Sequence, residues 1–250
     1  IFFLKKRKID ILISTGGYMS LPFCFASKIL NIRIFLFEPN MVLGRSNKLF
    51  IKSCENIFCY SDKIKNFPNK CINKINVIPS LLRKKFYEAK KADNIDEHIN
   101  LLIIGGSQGA KIFDRLIKTS IIELSKKYNL KIYQQTDLKN FENFKNFYID
   151  NNIDYELFNF DEDISYLMGR ANICLTRAGA STLAELVFLN LPFVAIPLPT
   201  SKDNHQSENA IFYNKIGCNW ILNQNEISDE TIINKLVKII DNKDEYLVKK

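Results

Sequence analysis

The stretch Leu101-Leu102-Ile103-Ile104-Gly105-Gly106-Ser107-Gln108-Gly109-Ala110 decides how this chain reads. Its four leading apolar residues form a short run of the kind found in strands covered on both faces. The glycines that follow permit positive φ and a close approach of backbone to a ligand. Beyond them, Lys111 to Tyr128 reads as a helix, with Ile112, Leu116, Ile121 and Leu124 near helical spacing. A strand that turns through glycine into a helix leaves free N–H groups at the helix start, and these favour an anion. The dipole supplies about 0.3–1 kcal/mol when exposed, so it assists binding without accounting for it. The spacing is neither the GxGxxG dinucleotide fingerprint nor a Walker A loop. Taken alone, a tight βα turn with no ligand explains it equally well.

The same alternation extends outward in both directions and predicts an α/β fold with parallel sheets. Strands are predicted at Asp10–Ser14, Ile34–Phe37, Ile57–Tyr60 and Asn76–Ile78, with helices at Pro22–Leu30 and Ser46–Ser53. Toward the C-terminus, strand and helix candidates run from Lys131–Gln135 to the helix Asp229–Ile240. Between the two series, Glu88 to Glu97 is charged and lacks apolar periodicity, so it reads as a linker. This divides the chain into an incomplete N-terminal Rossmann-like domain at 1–88, a linker at 89–99 and a C-terminal Rossmann-like domain at 100–250. Ligands of such folds sit at the carboxyl ends of the strands.

Four more loops fall on that edge. Thr176-Arg177-Ala178-Gly179-Ala180-Ser181-Thr182-Leu183-Ala184-Glu185 again runs from a strand through glycine into a helix. Ser181 or Thr182 is a candidate cap. Glu185 lies one turn in, where a carboxylate accepts two hydrogen bonds from a ribose diol or serves as a helix-start acid. The loop Pro197 to Gln206, followed by Asn209, offers Lys202, His205, Gln206 and Asn209 to a sugar or phosphate, or is an ordinary surface loop with Asn204 as N-cap. Gly16-Gly17-Tyr18 follows the first strand, and Phe37-Glu38-Pro39-Asn40 with Gly44 and Asn47 follows the second.

Composition narrows the classes. The chain has 250 residues, 46% hydrophobic, enough for a large core, and a formal charge of +8. The basic residues are dispersed apart from Lys5-Lys6-Arg7-Lys8, and no recognition motif accompanies them, so nucleic acid is not an expected partner. That run is a solvated segment or a patch attracted to anionic lipid. Six cysteines occur without CxxC pairs or metal-ligand spacing, which points to buried thiols in a reducing compartment and to no metal site. No apolar run approaches the roughly 18 residues that span a bilayer.

Together, in this order and spacing, the loops resemble the MurG family. Gly105 to Ala110 matches that family's second-domain glycine loop letter for letter, Gly16-Gly17-Tyr18 with Ser20 and Pro22 its GGYxSxP loop, and Glu38-x-Asn40 with Gly44 and Asn47 its ExN stretch. Arg177-x-Gly179-Ala180 with Glu185, and Lys202-Asp203 with Gln206 and Asn209-Ala210, match the remaining two. The resemblance implies a GT-B fold, two Rossmann-like domains facing a cleft. It implies an inverting hexosyltransferase that moves N-acetylglucosamine from UDP-N-acetylglucosamine to the 4-hydroxyl of an undecaprenyl-pyrophosphoryl-muramoyl-pentapeptide. That reaction belongs to peptidoglycan synthesis, and the enzyme is peripheral on the cytoplasmic face of the bacterial inner membrane. No cofactor and no metal are implied. The N-terminal domain becomes the acceptor and membrane side, the C-terminal domain the UDP-sugar side.

Carried over, Ser107 and its loop amides meet the diphosphate. Ala180, Ser181, Thr182, Leu183 and Ala184 flank the nucleotide and sugar, Glu185 binds the ribose and Gln206 the N-acetylglucosamine. Asn40 and Arg83 are further donor contacts, and Asp161 meets uracil through its backbone. The family's first glycine loop, ending in a candidate acid–base His, is expected before Ile1, so no catalytic residue is named. The chain opens on Ile rather than Met, in mid-pattern, and we expect residues beyond both ends. Phe37 and Pro39 stand where the family has His and Gln, and Ala178 where it has Ser. Two other readings stay open: another GT-B enzyme, such as a UDP-sugar 2-epimerase or a different glycolipid transferase, and a non-catalytic UDP-sugar-binding fragment.

Overall fold

The computed structural model of the chain describes residues 1–92, 94–105 and 110–250. These pack as two compact units. One comprises residues 1–81 and 202–209, the other residues 82–201 and 210–250.

In the first unit, α1 (Phe2–Lys6), β1 (Ile11–Ser14), α2 (Ser20–Ile29), β2 (Arg33–Glu38), α3 (Arg45–Phe50), β3 (Ile57–Cys59) and β4 (Ile75–Val77) follow one another. The four strands form a parallel sheet in the order of the sequence. Ile34, Leu36, Ile57 and Cys59 are essentially inaccessible at its centre. Asn31, at a left-handed φ of 56°, ends α2 and turns the chain into β2; asparagine tolerates that conformation better than other non-glycine residues.

The second unit begins with α4 (Lys84–Glu88), β5 (His98–Ile104), α5 (Ala110–Ser125), β6 (Asn129–Gln135), α6 (Phe141–Asp150), β7 (Asp154–Phe158) and α7 (Ile164–Arg170). It continues with β8 (Ile173–Thr176), α8 (Ala180–Phe188), β9 (Phe193–Ala195), α9 (His205–Lys215), β10 (Asn219–Ile221), α10 (Asp229–Asp241) and α11 (Lys243–Lys249). Six parallel strands run in the order β10-β9-β8-β5-β6-β7. The chain winds outward from β5 through β6 to β7, returns to β8 beside β5, and winds out the other way. The switch point therefore lies between the ends of β5 and β8, where Ile104 is in register with Thr176. Doubly wound sheets bind ligands at such a point. One core lies between the sheet and α5, α6 and α10; the other lies against α7 and α8.

Three sequence expectations are sharpened. Lys5 and Lys6, read as part of a solvated or lipid-attracted basic run, are exposed and close a short helix, Phe2–Lys6, in which Leu4 is buried and Phe2 and Phe3 are exposed. Within the predicted linker, Ala92 and Ile95 are buried, and the Ala92 N–H donates to the Leu189 carbonyl at 2.9 Å. His98, placed in that linker, is the exposed first residue of β5.

Candidate functional site

At the switch point, a pocket of about 200 Å³ is lined by Arg83, Ile104, Gln135, Phe158, Phe160, Asp161, Ile164, Met168, Thr182 and Glu185. Four residues singled out from sequence meet here: Arg83, Asp161, Thr182 and Glu185. They come from the start of α4, the β7–α7 loop and the first turns of α8.

Glu185 is the buried charge of the pocket. Its side chain is 8% exposed and accepts a hydrogen bond from Arg83 Nε to Oε1 at 3.0 Å. Burial raises its carboxyl above the usual range, and the Arg83 hydrogen bond and charge oppose that rise without cancelling it. Arg83 is half exposed, and its guanidinium lies 4.9 Å over the Phe86 ring, which fixes its direction.

The start of α8 departs from the cap expected at Ser181 or Thr182. Gly179, in extended conformation, is the N-cap and offers no side-chain hydrogen bond. Ser181 and Thr182 lie inside the first turn, Ser181 exposed and Thr182 half-buried at the pocket. The leading N–H groups of α8 thus have no side-chain cap, the arrangement that accepts an anion or a sugar oxygen. Leu183 and Ala184 have buried side chains that pack inward, so any ligand contact from them is through backbone. Arg177, which opens the motif, also turns inward: Nη1 donates to the Ile196 carbonyl at 2.9 Å, and burial lowers its pKa.

The Asp161 carboxylate accepts from the N–H of Asp163 at 2.7 Å, so it is engaged by its own loop. That leaves the Asp161 backbone and the neighbouring ring of Phe160, 76% exposed, to face a ligand. Sequence reasoning missed the aromatic and apolar wall of Phe158, Phe160, Ile164 and Met168, because only the packing of the β7–α7 loop and α7 beside the strand ends brings them together. It also missed Gln135, whose Oε1 accepts from Gly105 N at 3.1 Å and whose Nε2 donates to the Asn159 carbonyl at 3.1 Å. Ser107 lies outside the described residues.

Asn40 and Gln206 fall in the first unit instead. There a second pocket, of about 450 Å³, is lined by Gly16 and Gly17, by Glu38, Asn40, Gly44, Arg45 and Asn47, and by Lys202, Asp203 and His205 among others. Gly16 and Gly17 have φ of 78° and 80°, which only glycine adopts without strain. Glu38 is buried and takes four donors. Oε1 accepts from Asn40 N and Nδ2 at 3.2 and 3.0 Å; Oε2 accepts from Gly44 N and Asn47 Nδ2 at 2.8 and 3.0 Å. Asn40 Oδ1 in turn accepts from Asn209 Nδ2 at 3.1 Å. Gln206 is half-buried on the first turn of α9 and does not line the second unit's pocket. His205 contacts the Lys202 carbonyl through Nδ1 at 2.8 Å.

Residues 100–250 match the glycosyltransferase family 28 C-terminal domain, and residues 1–59 the corresponding N-terminal domain. A protein of Pelagibacter ubique is 64% identical over 250 residues, which are all of this chain and 70% of that protein. It is named UDP-N-acetylglucosamine–N-acetylmuramyl-(pentapeptide) pyrophosphoryl-undecaprenol N-acetylglucosamine transferase. The protein of that name from Rickettsia canadensis is 36% identical over 240 residues, 94% of this chain and 68% of its own length. The crystal structure of Acinetobacter baumannii MurG superposes with a TM-score of 0.81 at 25% identity, covering 99% of this chain and 70% of that one. The fold is therefore GT-B, and the chain belongs to glycosyltransferase family 28, among the N-acetylglucosamine transferases of the MurG type.

Proposed function

We propose that the chain transfers N-acetylglucosamine from UDP-N-acetylglucosamine to a lipid-linked N-acetylmuramoyl-pentapeptide, the peptidoglycan-building reaction for which its relatives are named. The observation that carries this reading is the convergence of Arg83, Asp161, Thr182 and Glu185 on one pocket at the switch point of a doubly wound sheet. A nucleoside diphosphate sugar suits it. The ribose diol donates to Glu185, the base takes the Asp161 backbone beside Phe160, and Arg83 and the start of α8 face the phosphates and sugar. Ser107 and its loop amides complete the diphosphate seat, with Ala180, Ser181 and the backbone of Leu183 and Ala184 flanking the sugar. Asn40 and Gln206 are proposed donor contacts from the first unit.

The 4-hydroxyl of the muramoyl sugar attacks C1 of the donor sugar with inversion. A C–O bond to the acceptor forms as the C–O bond to the diphosphate breaks, the hydroxyl proton leaves to a base, and UDP departs with the electron pair. We assign no residue of this chain as that base. His98, at the amino end of β5, is at the wrong edge of the sheet for the pocket. The first unit's pocket, with Arg45, Lys202 and the glycine loop, is the proposed seat of the acceptor's diphosphate. No helix of the described residues is long and apolar enough to cross a membrane. Phe2 and Phe3 beside Lys5 and Lys6 on α1 support peripheral contact with the cytoplasmic membrane face.

Titration calorimetry of the full-length protein with UDP-N-acetylglucosamine tests the donor site: saturable binding is expected, weakened at least tenfold by Glu185→Ala. Incubation with the lipid-linked muramoyl acceptor tests the reaction. Disaccharide-lipid product supports it, and epimerised sugar without acceptor overturns it.

A further inference from the structure

We infer that Gln135 is a positioning residue for the donor nucleotide, setting the spacing between the two loops that hold its base and its diphosphate. The inference rests on the donor reading of this pocket. Gln135 is the last residue of β6, the strand between β5 and β7, so its side chain is placed to span the ends of both neighbours. Its two amide atoms face backbone groups of opposite kind. Oε1 accepts from the N–H of Gly105, where the glycine loop leaves β5. Nε2 donates to the carbonyl of Asn159, where the loop carrying Phe160 and Asp161 leaves β7. A backbone N–H only donates and a carbonyl only accepts, so the amide has one workable orientation.

The far side is braced as well. Asn159 Nδ2 donates back to the Thr136 carbonyl at 3.0 Å, and Thr136 Oγ1 donates to Asp114 at 3.0 Å. Asn159, at the start of the loop bearing Phe160, is therefore tied to Gln135 at the end of β6 and to Thr136 just beyond it, and Gly105 is tied to the same Gln135. Neither of the two closest replacements in size satisfies both bonds. Glutamate keeps the bond to Gly105 but sets an oxygen against the Asn159 carbonyl. Methionine keeps the volume and loses both bonds. Gln135 itself need not touch the nucleotide to govern its affinity, because it holds the backbone groups at Gly105 and Asn159 from which the two contacting loops start.

The test is calorimetric titration of the full-length wild-type, Gln135→Met and Gln135→Glu proteins with UDP and with uridine, paired with melting curves. Asn140→Ala serves as control: Asn140 donates to Asp114 at 2.8 Å in the same part-buried network, on the side of Asp114 away from the Gln135 bonds to Gly105 and Asn159 in the chain of hydrogen bonds. We expect Gln135→Met to weaken UDP at least tenfold with little change in the unliganded melting temperature. Gln135→Glu should weaken uridine as well as UDP, and Asn140→Ala should bind UDP within threefold of wild type. UDP affinity within twofold of wild type in Gln135→Met overturns the inference. So does an equal affinity loss in Asn140→Ala, which would mean general loosening of the domain. Wild-type protein that binds no uridine nucleotide overturns the donor reading itself, and this role with it.

Discussion

Arg83 and Glu185 lie 102 residues apart in sequence, and Arg83 Nε meets Glu185 Oε1 at 3.0 Å in the pocket wall. The pair is lopsided: the carboxylate is buried and the guanidinium half exposed. Removing the arginine leaves a buried charge without its partner, whereas the arginine itself loses little. Because Arg83 is half exposed and screened by solvent, Arg83→Ala is expected to cost about 1 kcal/mol of stability, read by urea unfolding. It should also weaken UDP about tenfold, since Glu185 loses the contact that aims it.

The sign of the pH effect follows from Glu185. Burial, opposed by Arg83, leaves its folded-state carboxyl raised. Between the unfolded and folded values the native state binds more protons than the unfolded chain. Stability from this group is thus full below the unfolded value and falls as pH climbs through the folded one. Glu185→Gln should remove that slope and stabilise the unliganded protein at neutral pH by on the order of 1 kcal/mol. It should weaken nucleotide binding in the same preparation, because an amide no longer accepts twice from a diol. A variant less stable than wild type at neutral pH would show that the ionised pair holds the fold together.

In the first unit, Glu38 faces donors only: two from Asn40, one from Gly44 and one from Asn47. Glutamine would turn an NH₂ group toward two of them, losing two charge-assisted bonds and opposing donor to donor. Glu38→Gln is expected to cost about 3 kcal/mol, measured by denaturant unfolding. Gly44→Ala should reproduce part of the loss, because its Cβ would stand 2.9 Å from Glu38 Oε2.

These residues mark where sequence stops being readable. Leu101 to Ile104 announces a buried strand, and Gly105 with Gly179 announces the turns, because local chemistry alone fixes them. Glu185 and Thr182 follow from their offset along a helix. Gln135 is a single polar residue at a strand end, and its role exists only once β5, β6 and β7 are in register. Glu38 sits in a recognisable loop, but its four donors are set by how that loop folds back. Leu183 and Ala184 share the motif of Thr182 yet face the core, since neighbours on a helix point about 100° apart. The segment 88–97 reads as a linker because the burial of Ala92 and Ile95 and the backbone bond at Ala92 leave no periodic trace.

That segment yields the sharpest test of packing. Gly169 lies within α7, where alanine ordinarily gains about 1 kcal/mol over glycine. Here its Cβ would come within 2.7 Å of the Lys90 carbonyl oxygen, with the Lys90 carbonyl carbon at 3.5 Å. The obstacle is backbone, so no rotamer change relieves it, and overpacking of this kind costs about 1–3 kcal/mol. The clash is expected to outweigh the propensity gain, making Gly169→Ala destabilising in urea unfolding. Ile164 and Met168 of the same helix line the pocket, so a displaced α7 should also weaken UDP. A stabilised Gly169→Ala protein would mean that the Lys90 backbone gives way freely, and residues 88–97 would then deserve the name of linker.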